Sequence, residues 1–151
     1  MKTDGLGDLE SQDLEGLFAA HVHAPAVLLN EFALAMEHGS RVGLIGSRTM
    51  TGVAGKRQYS AIKAALSGLS RSWAIELADR AITCNVVAPA PTDTPKMSDP
   101  RRAGVPPQVL LLGALVYSRD IAALVGFLAS DKGKSITGQV LTVCGGAFLK
   151  A

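Results

Sequence analysis

Apolar positions recur at Leu14, Leu17, Phe18, Val22, Leu28, Leu29, Phe32 and Met36, a spacing that predicts a helix over about 13–36. Pro25 falls in its middle and predicts a kink, and Glu37-His38-Gly39-Ser40 supplies a glycine stop. Arg41-Val42-Gly43-Leu44-Ile45-Gly46 is a short apolar run between turn signals, the pattern of a buried strand. The helical period returns over about 58–78, with Ile62, Leu66, Leu69, Trp73, Ile75 and Leu77 as its apolar positions. Residues 81–88 are β-branched and read as a second strand, and 139–144 as a third, ended by Gly145-Gly146. Ser118 reads as the N-cap of a helix carrying Ile121, Leu124, Val125 and Leu128, with Asp120 in its first turn. Residues 1–12 read as an irregular lead-in. Six of the seven prolines fall in 89–107, which predicts a long loop of the kind that binds or covers a ligand.

Strands alternating with helices imply βαβ crossovers, a parallel sheet and an α/β fold. Ligands of such sheets gather outside the C-terminal strand ends, where Ser47, the loop after Pro89 and Gly145 all fall. At 151 residues, 48% hydrophobic and 19% charged, the chain suits one globular domain over 1–151 rather than a disordered segment. Its net charge is +2 and Arg101-Arg102 is its single arginine doublet, so no nucleic-acid partner is expected. The longest apolar run, from Val109 to Val116, is well short of the ~18 residues needed to cross a bilayer, and residues 1–5 lack the apolar stretch of a secretory signal. No membrane partner is expected, and the expected compartment is the cytoplasm. Cys84 and Cys144 stand far apart inside apolar runs, and His21 and His23 are two residues apart, which points them away from each other on a helix. No metal site is expected.

The chemistry-bearing pair is Tyr59 and Lys63. Four residues apart at the start of a helix, they share a face, and an ammonium beside a phenol favours the phenolate. The expectation is a tyrosine lowered from its ordinary value near 10. Ser47, taken alone, is an exposed serine at a strand end.

The ordered signals Ser47, Tyr59-Ser60-Ala61-Ile62-Lys63, Ile82-Thr83-Cys84-Asn85-Val86-Val87-Ala88-Pro89-Ala90-Pro91-Thr92-Asp93-Thr94 and Ile136-Thr137-Gly138-Gln139-Val140-Leu141 together resemble the short-chain dehydrogenase/reductase family. The resemblance runs from about Leu14 to Phe148. It implies the C-terminal part of a Rossmann-like doubly wound parallel sheet lacking the first strands, and an oxidoreductase acting on a small carbonyl or secondary alcohol with NAD or NADP. By the same resemblance Tyr59 is the acid/base, Lys63 tunes it and bonds the nicotinamide ribose, and Ser47 bonds the substrate oxygen. Pro89, Ala90, Thr92 and Thr94 would lie along the nicotinamide, in a substrate and cofactor region spanning 89–117.

The chain also departs from the family pattern. The glycine-rich phosphate turn is absent: Gly5-Leu6-Gly7 follows no strand, and Thr51-Gly52-Val53-Ala54-Gly55 lies between Ser47 and Tyr59, where the family binds no phosphate. His21 stands where the family has an asparagine of the proton relay, either passing protons itself or filling space. Ala90 replaces the usual glycine, and the Ser47-to-Tyr59 interval is one residue short. Loss of the first strands would leave the strand at 41–46 with an open apolar edge. The resemblance implies a homo-oligomer through the helices at about 13–36 and 58–78. It leaves a second expectation beside the enzyme: a catalytically silent truncated homologue that serves as an oligomerisation partner, or a non-functional fragment.

Overall fold

A computed structural model describes residues 11–98 and 110–149. The first helical stretch is α1 (Ser11–Phe18), a π-helical turn over Ala19–His23, and α2 (Ala24–Ala33). Pro25, at the start of α2, has no N–H, and its ring crowds the carbonyl four residues back. The chain meets this with the wider π turn, in which Ala24 N–H reaches Ala19 O, rather than with the simple proline kink that the sequence predicts. The helix also stops earlier than 36, and Gly39 takes the left-handed conformation in the turn that follows. The Arg80 guanidinium donates to the carbonyls of Ala33 and Met36, placing a cation where unpaired carbonyls end the helix.

Strand β1 (Arg41–Ile45), helix α3 (Arg57–Glu76), strand β2 (Thr83–Pro89) and strand β5 (Val140–Val143) sit within two residues of their expected bounds. The parallel sheet has the order β1-β2-β5, with Val42 opposite Cys84, Ile45 opposite Val87 and Val87 opposite Leu141. The alternation of side chains along β1 sorts the layers. Val42 and Leu44 face Leu28, Leu29 and Phe32 of α2 and Trp73 of α3. Gly43 and Ile45 face Val125, Leu128 and Ala129 of helix α4 (Ser118–Ala129) on the opposite side. Tyr117 rather than Ser118 is the residue before the first turn of α4; its N–H donates to Asp120 Oδ2 at 3.0 Å.

The core is centred on β2, where Cys84, Val86, Val87 and Ala88 are buried, with Ile62, Leu66 and Ala74 of α3 packed over it. Ser70 Oγ of α3 donates to Cys84 O at 3.0 Å. Buried Asn85 fixes the approach to β5: its Nδ2 donates to Ile136 O at 2.7 Å and its Oδ1 accepts from Gln139 N at 3.1 Å. Thr137 Oγ1 accepts from Cys84 N at 3.0 Å beside them. β1 is different. Among the described residues it pairs on one side only, and Ile45 remains 52% exposed, so the open edge expected from the sequence is there.

The proline-rich region is not plain loop. Within it a short parallel ladder joins β3 (Thr92–Asp93) to β4 (Val116–Tyr117), and a 3-10 turn covers Pro95–Ser98. Leu110 is buried with Ala90 and Val116 against Val143 and Cys144, and lies over Gly145, where a Cβ would come within 3.0 Å of its side chain. The remainder of that region, 99–109, lies outside the described residues, as does 1–10 of the lead-in; Ser11 already belongs to α1.

Candidate active site

Ser47 follows β1 in extended conformation, at φ −162° and ψ 148°, and starts a 3-10 turn over Arg48–Thr51. Gly46 lets it sit there, because a Cβ on Gly46 would come 2.6 Å from Val86 Cγ1, while Gly46 N–H donates to Val87 O at 2.7 Å. The strand register does the rest: Ile45 lies opposite Val87, so Ser47 and Pro89 leave neighbouring strands at the same level. Thr49 is buried, and both its N–H, at 3.2 Å, and its Oγ1, at 3.0 Å, donate to Ser47 Oγ. Sequence reading passes over Thr49; its one signal is the Ser-x-Thr spacing that favours such local bonds.

Tyr59 and Lys63 are in the first turns of α3 on a common face, with Lys63 Nζ 5.8 Å from the Tyr59 ring centroid. Lys63 is buried, and its Nζ donates to Ile45 O at 2.8 Å. The other side of Tyr59 meets His21, whose ring stands edge-on with centroids 6.0 Å apart. The π turn and α3 therefore bring Ser47, Tyr59, Lys63 and His21 into one cluster. Pro89, Ala90, Thr92 and Thr94 are on the adjacent strand end and its continuation, where Thr92 Oγ1 donates to Ala90 O at 2.9 Å and Thr94 Oγ1 to Thr92 O at 3.4 Å. Ala90 is buried and its N–H donates to Val143 O at 3.0 Å, with no positive φ, so alanine is accommodated where glycine was expected.

The electrostatics correct one expectation. Burial pushes the Tyr59 phenol above its ordinary value, and the hydrogen bond with Ser47 pulls it partly back. Burial pushes the Lys63 ammonium down. The lowering of Tyr59 by Lys63 that i, i+4 spacing predicts does not prevail, because the ammonium is spent on Ile45 O and both groups are withdrawn from water. Tyr59 is thus held as the neutral phenol at neutral pH. Burial, then the Lys63 charge, push His21 below 6.5.

A stability prediction follows from His21. The unfolded chain takes up the imidazole proton more readily than the folded chain, so unfolding binds protons in the window just below pH 6.5 and stability rises with pH through that window. The urea midpoint is expected to climb between about pH 5.5 and 7, with a smaller climb in His21→Phe. Equal slopes in the two proteins would contradict the assignment.

Among the described residues no group of three His, Cys, Asp or Glu is placed to hold a metal ion, and no helix is long and apolar enough to cross a membrane. The donors do fit one half of a nicotinamide dinucleotide. The Lys63 ammonium carries three N–H donors, of which Ile45 O takes one, leaving donors for ribose hydroxyls beside Tyr59 and the Pro89 strand end. For the pyrophosphate half, the described residues offer no strand that runs through a glycine turn directly into an α-helix.

Known proteins with this arrangement agree with the fold. The family model described as enoyl-(acyl carrier protein) reductase matches residues 2–147, and the chain belongs to the short-chain dehydrogenase/reductases. It is 41% identical to the 3-oxoacyl-[acyl-carrier-protein] reductase FabG of Salmonella typhimurium over 99% of this chain and 60% of that protein. Against the Escherichia coli K12 FabG the identity is 39%, again over 99% of this chain and 60% of the relative. Among solved structures, a blue fluorescent protein from a metagenomic library, in complex with NADPH, superposes with a TM-score of 0.87 at 39% identity, covering 97% of this chain and 60% of the other. A Serratia marcescens short-chain dehydrogenase/reductase superposes at 0.83 with 30% identity, covering 98% and 62%. The chain therefore spans about three-fifths of the length of the relatives it matches.

Proposed function

We propose that this chain carries the proton-transfer side of an NAD(P)-dependent carbonyl reductase site, with Tyr59 as the acid, Ser47 as the donor to the substrate oxygen and Lys63 as the ribose-binding cation. The observation that carries this reading is the convergence of the three side chains at the strand ends, with Tyr59 held neutral by burial. A neutral phenol is the form that gives a proton, so at neutral pH Tyr59 rests in the state that carbonyl reduction requires. When bound, NAD(P)H supplies the hydride. Tyr59 gives its proton to the oxygen that gains charge, Ser47 bonds that same oxygen, and Lys63 holds the ribose with the donors that Ile45 O leaves free. Pro89, Ala90, Thr92 and Thr94 line the nicotinamide side. His21, edge-on to Tyr59, returns a proton to it from solvent.

The pyrophosphate grip comes from the part of the relatives' length that this sequence does not span. Names of relatives such as FabG make a 3-oxoacyl thioester the first substrate to assay. The test joins the chain to the N-terminal two-fifths of the Salmonella typhimurium reductase and follows NADPH oxidation with that substrate; saturable turnover is expected, and a folded fusion that binds NADPH without turning over any ketone would overturn the reading.

A second reading, a catalytically silent partner in an oligomer, is favoured by the surface. Phe18, Leu28 and Phe32 are large apolar side chains exposed along α1 and α2, and the exposed positions Ala61, Ala65, Gly68 and Ser72 give α3 a flat outer strip. The helical stretch of α1 and α2 and the helix α3 both suit contact with a second copy or with a full-length homologue.

A further inference from the structure

Thr49 is tied to Ser47 twice. A serine oxygen has two lone pairs and one hydrogen. Thr49 N–H and Thr49 Oγ1 both donate to that oxygen, at 3.2 and 3.0 Å, and so occupy both lone pairs. The Ser47 hydroxyl is then left with a single capacity, to donate. Thr49 is buried, its backbone is fixed by the 3-10 turn that Ser47 begins, and Gly52 N–H closes the turn on Thr49 O at 2.9 Å. Nothing else about the turn demands a hydroxyl at this position: an apolar side chain would bury as well, and the Ser47–Met50 backbone bond closes the turn without it.

We propose that Thr49 is a positioning residue that locks the Ser47 hydroxyl as a hydrogen-bond donor toward Tyr59 Oη and the oxygen of a bound carbonyl. The proposal rests on the reading of Ser47 and Tyr59 as the reacting pair. A free serine hydroxyl can rotate to accept from the tyrosine, which would hold the phenol's proton in place and blunt it as an acid. With its lone pairs filled, Ser47 can only stabilise negative charge, whether on the phenolate or on the developing alkoxide. The titratable groups facing Tyr59 are His21 and Lys63, so an effect passing through Ser47 is separable from theirs by substitution at 47 and 49 alone.

The experiment needs no cofactor. Titration of the Tyr59 13Cζ resonance in the isolated chain, assigned with Tyr117→Phe, reads the phenol directly. Ser47→Ala is expected to raise its midpoint, and Thr49→Val to raise it by about 0.5 unit or more in the same direction, because the freed lone pair lets Ser47 accept from the phenol. Thr49→Ser keeps the hydroxyl and is expected to match the unsubstituted chain. A Thr49→Val midpoint equal to that of Thr49→Ser, or no shift in Ser47→Ala, overturns the proposal. Should Thr49→Val not fold, the unsubstituted chain decides: the Thr49 hydroxyl proton is expected in slow exchange at low temperature with a cross-peak to the Ser47 β protons, and its rapid exchange with water overturns the proposal. Turnover by Tyr59→Phe would instead sink the underlying reading and leave these titrations standing.

Discussion

Phenylalanine in place of Tyr59 is expected to lower the turnover of the joined reductase by at least about 100-fold and up to about 10,000-fold, the range that one positioned general acid supplies. That corresponds to about 3–5 kcal/mol of transition-state stabilisation. NADPH affinity is expected to change little, because Lys63 reaches its own acceptor, Ile45 O, and does not depend on the phenol for its place. KM for the ketone is expected to change less than kcat, since the lost interaction strengthens as charge develops on the substrate oxygen. The pH profile gives an independent check. Burial raises Tyr59, so reduction should stay level through neutral pH and fall only in the alkaline range above 10, as the phenol ionises. Retention of more than about a tenth of the turnover would remove Tyr59 from the role of acid.

The largest stability effect is expected at Asn85. Its side chain makes two bonds across 51 and 54 residues of sequence, to Ile136 O and from Gln139 N, in a site where Asn85 is 2% exposed. Asn85→Ala leaves that carbonyl and that N–H without their side-chain partner and opens a cavity, so a loss of about 2–4 kcal/mol is expected in urea unfolding. The effect should reach function as well. The turn that Asn85 holds leads into β5, and β5 holds the Ala90 N–H through Val143 O at the candidate cofactor edge. Asn85→Ala is therefore expected to weaken NADPH binding in the joined protein. A loss below about 0.5 kcal/mol would show that water replaces the amide and that the turn stands without it.

The periodic elements were legible because burial imposes the period. α3 repeats apolar positions on one face, and β2 is buried on both faces and reads as apolar apart from Thr83 and Asn85. Tyr59 and Lys63 were legible for a related reason, since helical spacing alone puts them together. What escaped the sequence depends on contacts between distant segments or on backbone detail. The π turn at Ala19–His23 is the chain's answer to Pro25, and a helical pattern cannot tell it from a kink. The β3–β4 ladder pairs residues 24 apart across a proline-rich stretch with no alternation to announce it. The rise of the Tyr59 pKa came from burial, a tertiary quantity that spacing does not show, which outweighed the lowering by the Ser47 hydrogen bond. Thr49 was silent because one threonine in a threonine-rich loop carries no periodic signal, and its meaning lies in where Ser47 Oγ sits.

The central proposal is a division of labour: we assign the proton chemistry and the nicotinamide side to this chain, and the phosphate grip to the part of the relatives' length that this sequence does not span. Phosphate contacts at a helix N-terminus supply much of what holds a dinucleotide, and among the described residues no strand leads through a glycine turn directly into an α-helix. Calorimetric titration of the isolated chain with NADPH and with NADH tests this most directly. The account predicts no saturable heat below about millimolar concentration, equivalent to less than about 4 kcal/mol of binding, whereas micromolar affinity for either dinucleotide would contradict it.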